Sequence, residues 1–382
     1  MSQNIPPFSR EEYDERLARV RKKMVARDVD LLLVHTPENI FYLTGYDTPG
    51  YEFYHCLLVP LQGQCEIIVR TMERENARRS AVSKYHAYHD LDDVVKLTVE
   101  HAHDVPGVRV VGVEKSSWFL TAKIYERLRT EFTPVNLTDC SNLIDELRMV
   151  KSAAEIKFVR EAASICDTVF RVGIDAIHAG ACENEIASAV SAAAFSRGGD
   201  YTGMPYLIKS GDRCAIGHGV PTRRRMERGD VVYMELSGCI NRYHAVTMRT
   251  CQIGPVDDAV RRAADVIVAA TDKTIAAMRP GTLTGELYNV GLREIAGAGL
   301  TSMPRRMAYS IGIGYPPRWD ETHVLEAQVN SQTPLQPGMV FHVCPGARLS
   351  ERAQIAFSET VLITETGPEI LTNTPRTLIT RA

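Results

Sequence analysis

Apolar residues recur at helical spacing at Tyr13, Leu17, Val20 and Met24, and Ser9 with Glu12 forms a capping box just ahead of them. The pattern then shortens. Leu31–Val34 is an unbroken apolar run of strand length, 39–45 reads as a helix closing on a glycine turn, and 65–70 and 108–113 read as strands. The stretch 117–132 returns to helical spacing. Helices alternating with short apolar strands predict a mainly parallel α/β unit over residues 1–150. Charged helical residues around 145–156 mark a junction, from which a long helix runs to about Gly173.

Beyond the junction the rhythm changes. Helices near 183–196, 257–278 and 285–297 alternate with strand pairs near 231–253 and 338–364. That arrangement predicts an α+β unit over 151–382, a curved antiparallel sheet covered by helices. No apolar run reaches bilayer length, and the first residues carry no basic segment followed by an apolar one, so neither a membrane span nor a secretory leader is expected. Nine cysteines without CxxC spacing argue against a disulfide framework and for a reducing compartment, with the cytoplasm as the expected location. A net charge of −3 makes nucleic acid an improbable main partner, and the basic run 223–225 is followed by Glu227 and Asp230, as in a solvated loop.

Chemistry concentrates in the second half. Ile216-Gly-His-Gly-Val-Pro221 precedes Gly229-Asp-Val-Val-Tyr233, which leads into Glu235-Leu-Ser-Gly and then Tyr243-His-Ala-Val-Thr-Met-Arg-Thr250. Pro334-Leu-Gln-Pro-Gly-Met-Val-Phe-His342, Cys344-Pro-Gly346 and Phe357-Ser-Glu-Thr360 follow. In order and separation these segments resemble the pita-bread hydrolases, which include the Xaa-Pro peptidases, methionine aminopeptidases and creatinases. The resemblance implies a small creatinase-like N-terminal domain before the catalytic one. It also implies five metal-ligand positions, which here fall on Glu235, Val246, Ile311, Cys344 and Ser358, with Glu359 one residue away from the last. Valine and isoleucine supply no donor for a hard or borderline cation. The expectation is therefore a chain with no metal and no other cofactor, similar to the metal-free creatinases and ectoine hydrolases. It is closer to the latter through Glu235 to His244 and through Ile311-Gly-Ile-Gly-Tyr-Pro-Pro-Arg-Trp319. It departs from the creatinases at Met248, where they carry a glutamate.

Such enzymes open a C–N bond in a compact zwitterionic amidine or guanidine, and the expected partner is a small molecule of that kind. His218 suits a proton shuttle and Glu235 suits a carboxylate that meets the cation or orients water. Arg249, Arg318 and Arg352 are candidates for anchoring a substrate carboxylate. Tyr243, His244, Tyr315 and Trp319 could wall the pocket, and Glu359 is a further candidate. Plainer readings stand beside these: a loop histidine for His218, a salt-bridged carboxylate for Glu235, a core histidine for His244, an inert thiol for Cys344 and a hairpin brace for Arg249. A metal-dependent Xaa-Pro peptidase and a non-catalytic binding module are the competing functions. The resemblance also implies a homodimer in which the aromatic loop 46–55 completes a neighbour's site.

Overall fold

The protein is represented by a computed structural model that describes residues 6–82, 84–303, 306–350 and 353–382. Its contacts divide the chain into two compact units, Met1–Arg148 and Met149–Ala382.

In the first unit α1 (Arg10–Ala26) starts at Ser9, whose Oγ accepts from the Glu12 amide at 3.3 Å. Its buried stripe is Tyr13, Arg16, Val20 and Met24. Arg16 turns inward because its guanidinium lies 4.0 Å over the Phe8 ring and donates to the Tyr42 carbonyl at 2.7 Å, while Leu17 is half-buried. The chain continues through β1 (Leu31–Val34), α2 (Pro37–Thr44), β2 (Cys56–Pro60), β3 (Glu66–Arg70), α3 (Arg74–Arg78), β4 (Lys84–Tyr88), α4 (Val94–His103), β5 (Val110–Val113), α5 (Ala122–Glu131), β6 (Asn136–Asp139) and α6 (Asp145–Arg148). The sheet order is β4-β3-β2-β1-β5-β6. The expected parallel pairing holds for β3–β4, β1–β5 and β5–β6, but β2 runs antiparallel to both neighbours. Only five residues join β2 to β3, too few for the crossover a parallel pair needs. The core gathers Leu31, Leu33, Ile68, Val95, Val111 and Leu128.

The second unit opens with α7 (Ala153–Asp175), capped by a reciprocal Ser152–Glu155 box. Then come α8 (Glu183–Ser196), β7 (Leu207–Ser210), β8 (Val231–Ile240), β9 (Tyr243–Ile253), α9 (Asp258–Ala277), α10 (Thr284–Gly297), β10 (Thr301–Ser302), β11 (Arg306–Ser310), β12 (Glu326–Gln328), β13 (Val340–Val343), β14 (Gly346–Ser350), β15 (Ala353–Ala356), β16 (Glu359–Thr364), β17 (Gly367–Ile370) and β18 (Ile379–Arg381). Among the described residues three sheets result, ordered β10-β14-β15, β12-β11-β13-β16-β17 and β18-β9-β8-β7. The region 338–364, expected as one strand pair, is two: β13 pairs with β16 and encloses the hairpin β14–β15.

The long hairpin β8–β9 organises the unit. Its register runs from Val231↔Gln252 to Ile240↔Tyr243 around a two-residue turn at Asn241 and Arg242, both at positive φ. Side chains alternate across the sheet, so Met234 and Leu236 join Phe170 and Val190 in the core shared with α7 and α8. Tyr233, Glu235 and Ser237 therefore face the other way. Gly238 lets α7 settle directly on β8, since a Cβ there would stand 2.0 Å from the Ala162 carbonyl oxygen. Among the described residues no helix is long and apolar enough to cross a membrane.

Candidate active site

On the face of the hairpin turned away from α7, Glu235 stands opposite Met248 and Ser237 opposite Val246. A cavity of about 190 Å³ opens over this face. Its wall includes Tyr233 and Glu235 from β8, Met248 from β9, and Arg306 and Tyr309 from β11. His218, Trp319, Asp320 and Cys344 come from the connecting segments.

Glu235 is buried and, among the described residues, accepts one hydrogen bond, from the Tyr233 hydroxyl at 2.9 Å. Burial, reinforced by the Asp320 charge, raises its carboxyl pKa to about 7, against the pull of Tyr233, Lys209 and Arg306. A carboxyl in that range can give or take a proton near neutral pH.

His218 is exposed on the loop after β7, and the loop is tied down at both ends. Glu183, fully buried at the start of α8, accepts from the Ser210 amide and hydroxyl at 2.9 and 2.7 Å and from the Thr222 amide and hydroxyl at 2.9 and 2.8 Å. It also pairs with Arg213. Lys209 supports the middle, donating to the Ile216 and Gly217 carbonyls at 2.7 and 3.1 Å while its ammonium sits 3.9 Å over the Tyr233 ring. The second glycine of Gly-His-Gly is required by this contact, because a Cβ on Gly219 would come within 2.6 Å of the lysine Cδ. One buried lysine thus touches both the His218 loop and the tyrosine that holds Glu235.

The structure sorts the other residues selected from sequence. Trp319 lines the cavity. Arg249 and Glu359 do not; they form a buried pair at 2.7 Å beneath it. The Arg249 guanidinium also donates to the carbonyls of Met248, Ser358, Thr374 and Pro375, and Glu359 accepts further from Arg376 and Thr372. Arg249 is the hairpin brace, with all five of its N–H groups engaged, and Glu359 is held by three donors. Tyr243 is buried, with its hydroxyl on Glu155 at 2.8 Å and its ring against Phe158. His244 is a strut: its Nε2 accepts the Gly203 amide at 2.9 Å, and burial plus the Arg242 charge lowers its pKa to about 3, so it stays neutral. Tyr315 is buried beside Arg242, whose guanidinium lies 4.7 Å from its ring centroid. Arg318 is half-buried, with Nη1 4.0 Å from Asp320 and 3.4 Å from His323 Nδ1, and lies outside the cavity wall. Arg352 lies outside the described residues.

Sequence reasoning missed Asp320, Arg306 and Tyr233. A period-2 reading would have found Tyr233, which is two residues before Glu235 and hence on its face. Nothing local marks Arg306 or Asp320, which the folding of β11 and its following loop carries to the wall. The Cys344 thiol is pushed up to about 12, first by burial, so it stays protonated and is no nucleophile.

The donor set does not fit a metal centre. Val246 and Ile311 are fully buried hydrocarbon. Ser358, in place of the last carboxylate, belongs to a hydrogen-bonded chain: Tyr309 Oη to His342 Nδ1 at 2.6 Å, His342 Nε2 to Ser358 Oγ at 2.6 Å, and the Met248 amide to Ser358 Oγ at 2.6 Å. Among the described residues, no three histidine, cysteine or carboxylate donors converge in the cleft.

Residues 157–365 match metallopeptidase family M24 and residues 16–150 match the creatinase/prolidase N-terminal domain. The chain belongs to family M24 and is a hydrolase of that family. It is 30% identical to an uncharacterized hydrolase/peptidase of Sinorhizobium fredii, with 98% of each chain covered. It is 27% identical to the ectoine hydrolase of Halomonas elongata (98% of each) and 25% identical to the Xaa-Pro dipeptidase of Pyrococcus furiosus (96% and 99%). A solved prolidase from Thermococcus sibiricus superposes with a TM-score of 0.87 at 22% identity, covering 96% of this chain and 99% of that one.

Proposed function

We propose that this hydrolase opens a C–N bond in a small zwitterionic cyclic amidine or guanidine without a metal ion, and that ectoine is the first substrate to test. The observation that carries the proposal is the environment of Glu235. Its carboxylate faces the cavity with Met248 directly opposite and Val246 further along the same face, so no second acid from the hairpin stands by to share a cation. The cavity is below the roughly 300–1,000 Å³ usual for drug-sized ligands, which favours a compact substrate. Its charges are split as a zwitterion needs, with Glu235 and Asp320 for the amidinium and Arg306 for the carboxylate. The similarity to an ectoine hydrolase over the whole chain points the same way.

In this reading ionised Glu235 accepts a proton from water as the water oxygen bonds to the amidinium carbon. The C=N electron pair moves onto nitrogen. His218 then delivers a proton to the ring nitrogen as its bond to that carbon breaks. A lone pair of the added hydroxyl forms the amide C=O, and the hydroxyl proton returns to His218. Glu235 passes the water proton to the freed amine, so that amidinium plus water becomes amide plus ammonium. Trp319 and Tyr309 bound the planar cation. A reducing, cytoplasmic setting suits nine free thiols, eight of them buried. A homodimer with loop 46–55 at the neighbour's site completes the proposal, and light scattering tests it.

The deciding experiment is a turnover screen on ectoine, hydroxyectoine, creatine and an Xaa-Pro dipeptide, with and without chelator. Ring opening of ectoine that persists under chelation is the expected result. The similarity to the Pyrococcus furiosus dipeptidase supports a second reading, metal-dependent Xaa-Pro cleavage. Proline-dipeptide turnover that chelator abolishes and manganese or cobalt restores would replace the first reading with the second.

A further inference from the structure

A cluster in the first unit is unrelated to the cavity chemistry. The parallel register of β3 and β4 sets Glu66 against Lys84 and Ile68 against His86, so Glu66 and His86 are diagonal neighbours on one face. Glu66 Oε2 and His86 Nε2 are 2.6 Å apart. His101, in the last turn of α4, stacks on His86 with ring centroids 3.4 Å apart and planes at 26°. One donor atom from each of the three residues lies within 4.8 Å of the other two. The His101 Nδ1 atom is shut off from solvent yet hydrogen-bonds to no described group; the Asp104 carboxylate stands 3.7 Å away. With its proton on Nδ1, on the side of Asp104, the His101 ring keeps the Nε2 lone pair as its donor.

We propose that Glu66, His86 and His101 form a binding site for a divalent zinc-type cation. Two imidazoles and one carboxylate are a donor set zinc accepts, leaving a fourth position for water. The three side chains are half-buried, so the ion has access while its surroundings remain partly desolvated. On a tetrahedral zinc with bonds of about 2.0–2.1 Å, neighbouring donors are roughly 3.3 Å apart. The cluster reaches that spacing by side-chain rotation: His101 swings in, and the short Glu66–His86 contact opens as the cation takes the place of the proton they share. Glu66 Oε1 keeps Lys84 at 3.2 Å. Asp104 acts as an outer partner that orients the His101 ring.

The test is zinc titration of the full-length protein by calorimetry, with metal counted after dialysis and cobalt substituted to read the geometry from its visible bands. The wild type is expected to hold one equivalent per chain. Glu235→Ala should keep it, which separates this site from the cleft. His86→Ala and His101→Ala should lose it, and Asp104→Asn should weaken it roughly 10-fold, the low end for an outer partner because Asp104 is largely exposed. Asp104→Asn alters no proposed ligand, so it remains informative if a histidine variant fails to fold. No binding by the wild type overturns the site. Equal binding by the wild type and the folded His86 or His101 variants also overturns it, as does equal affinity in Asp104→Asn when those variants do not fold.

Discussion

Glu235 and Glu359 are both buried carboxylates of the second unit, and their surroundings could hardly differ more. Glu359 meets two guanidiniums and a threonine hydroxyl. Glu235 meets one phenol and an open cavity, with its nearest cations acting through space. A carboxylate enclosed by matched charge holds the fold together. One left with a single neutral donor is poorly solvated, keeps its proton to higher pH, and has room for a ligand's charge. Both positions are acidic residues on apolar strands, so the distinction belongs to the tertiary environment.

Substitutions at the two sites should therefore fail in opposite ways. Glu235→Gln should lower kcat by ~10²–10⁴ with little loss of stability, and the rise of wild-type activity through about pH 7 should vanish with it; a variant with wild-type turnover would remove Glu235 from the chemistry. Arg249→Ala should leave Glu359 buried with one of its two guanidiniums gone and cost about 3–5 kcal/mol in denaturant unfolding. A loss under 1 kcal/mol would show that Arg376 alone suffices.

The pH dependence of stability carries a sign that separates them as well. The Glu235 pKa is raised on folding, so the folded state binds its proton more tightly. Stability is greatest below the ordinary carboxylate range and falls as pH rises from about 4.5 to about 7, by at most roughly 3 kcal/mol. Glu235→Gln should remove that decline, and unfolding curves at pH 5 and pH 8 check it. The smallest effect is expected at Arg306→Lys, which keeps the charge and loses the two-pronged contact. KM for a carboxylate-bearing substrate should rise by about 10-fold while kcat changes less; an unchanged KM would point to another anchor.

Much of the second unit was legible because long periodic elements announce themselves. The α9 and α10 helices fall within a residue of the spans that hydrophobic spacing predicts, and the β8–β9 hairpin fills 231–253. The α5 helix begins at Ala122, after a Thr121 cap, where spacing alone placed it at 117. The site was less legible. His218, Glu235 and Trp319 could be chosen by residue type and local motif, and the cavity gathers all three. Arg249 and Tyr243 looked equally available, but whether a polar side chain is free depends on carbonyls and carboxylates far along the chain: Pro375 for one, Glu155 for the other. Arg306 and Asp320 reach the wall through distant folding, Arg306 while paired with Glu326 at 2.7 Å and Asp320 while accepting from Thr322.

The cavity wall also carries three thioethers, Met204, Met248 and Met303. Sulfur of this kind adapts to the shape of a bound molecule, but it is also the part of the wall most open to peroxide. Conversion to the sulfoxide would set a polar, chiral group among these apolar surfaces. Ageing preparations should therefore lose turnover before they lose structure, with peptide mapping finding the extra oxygen on these methionines and a sulfoxide reductase restoring the rate.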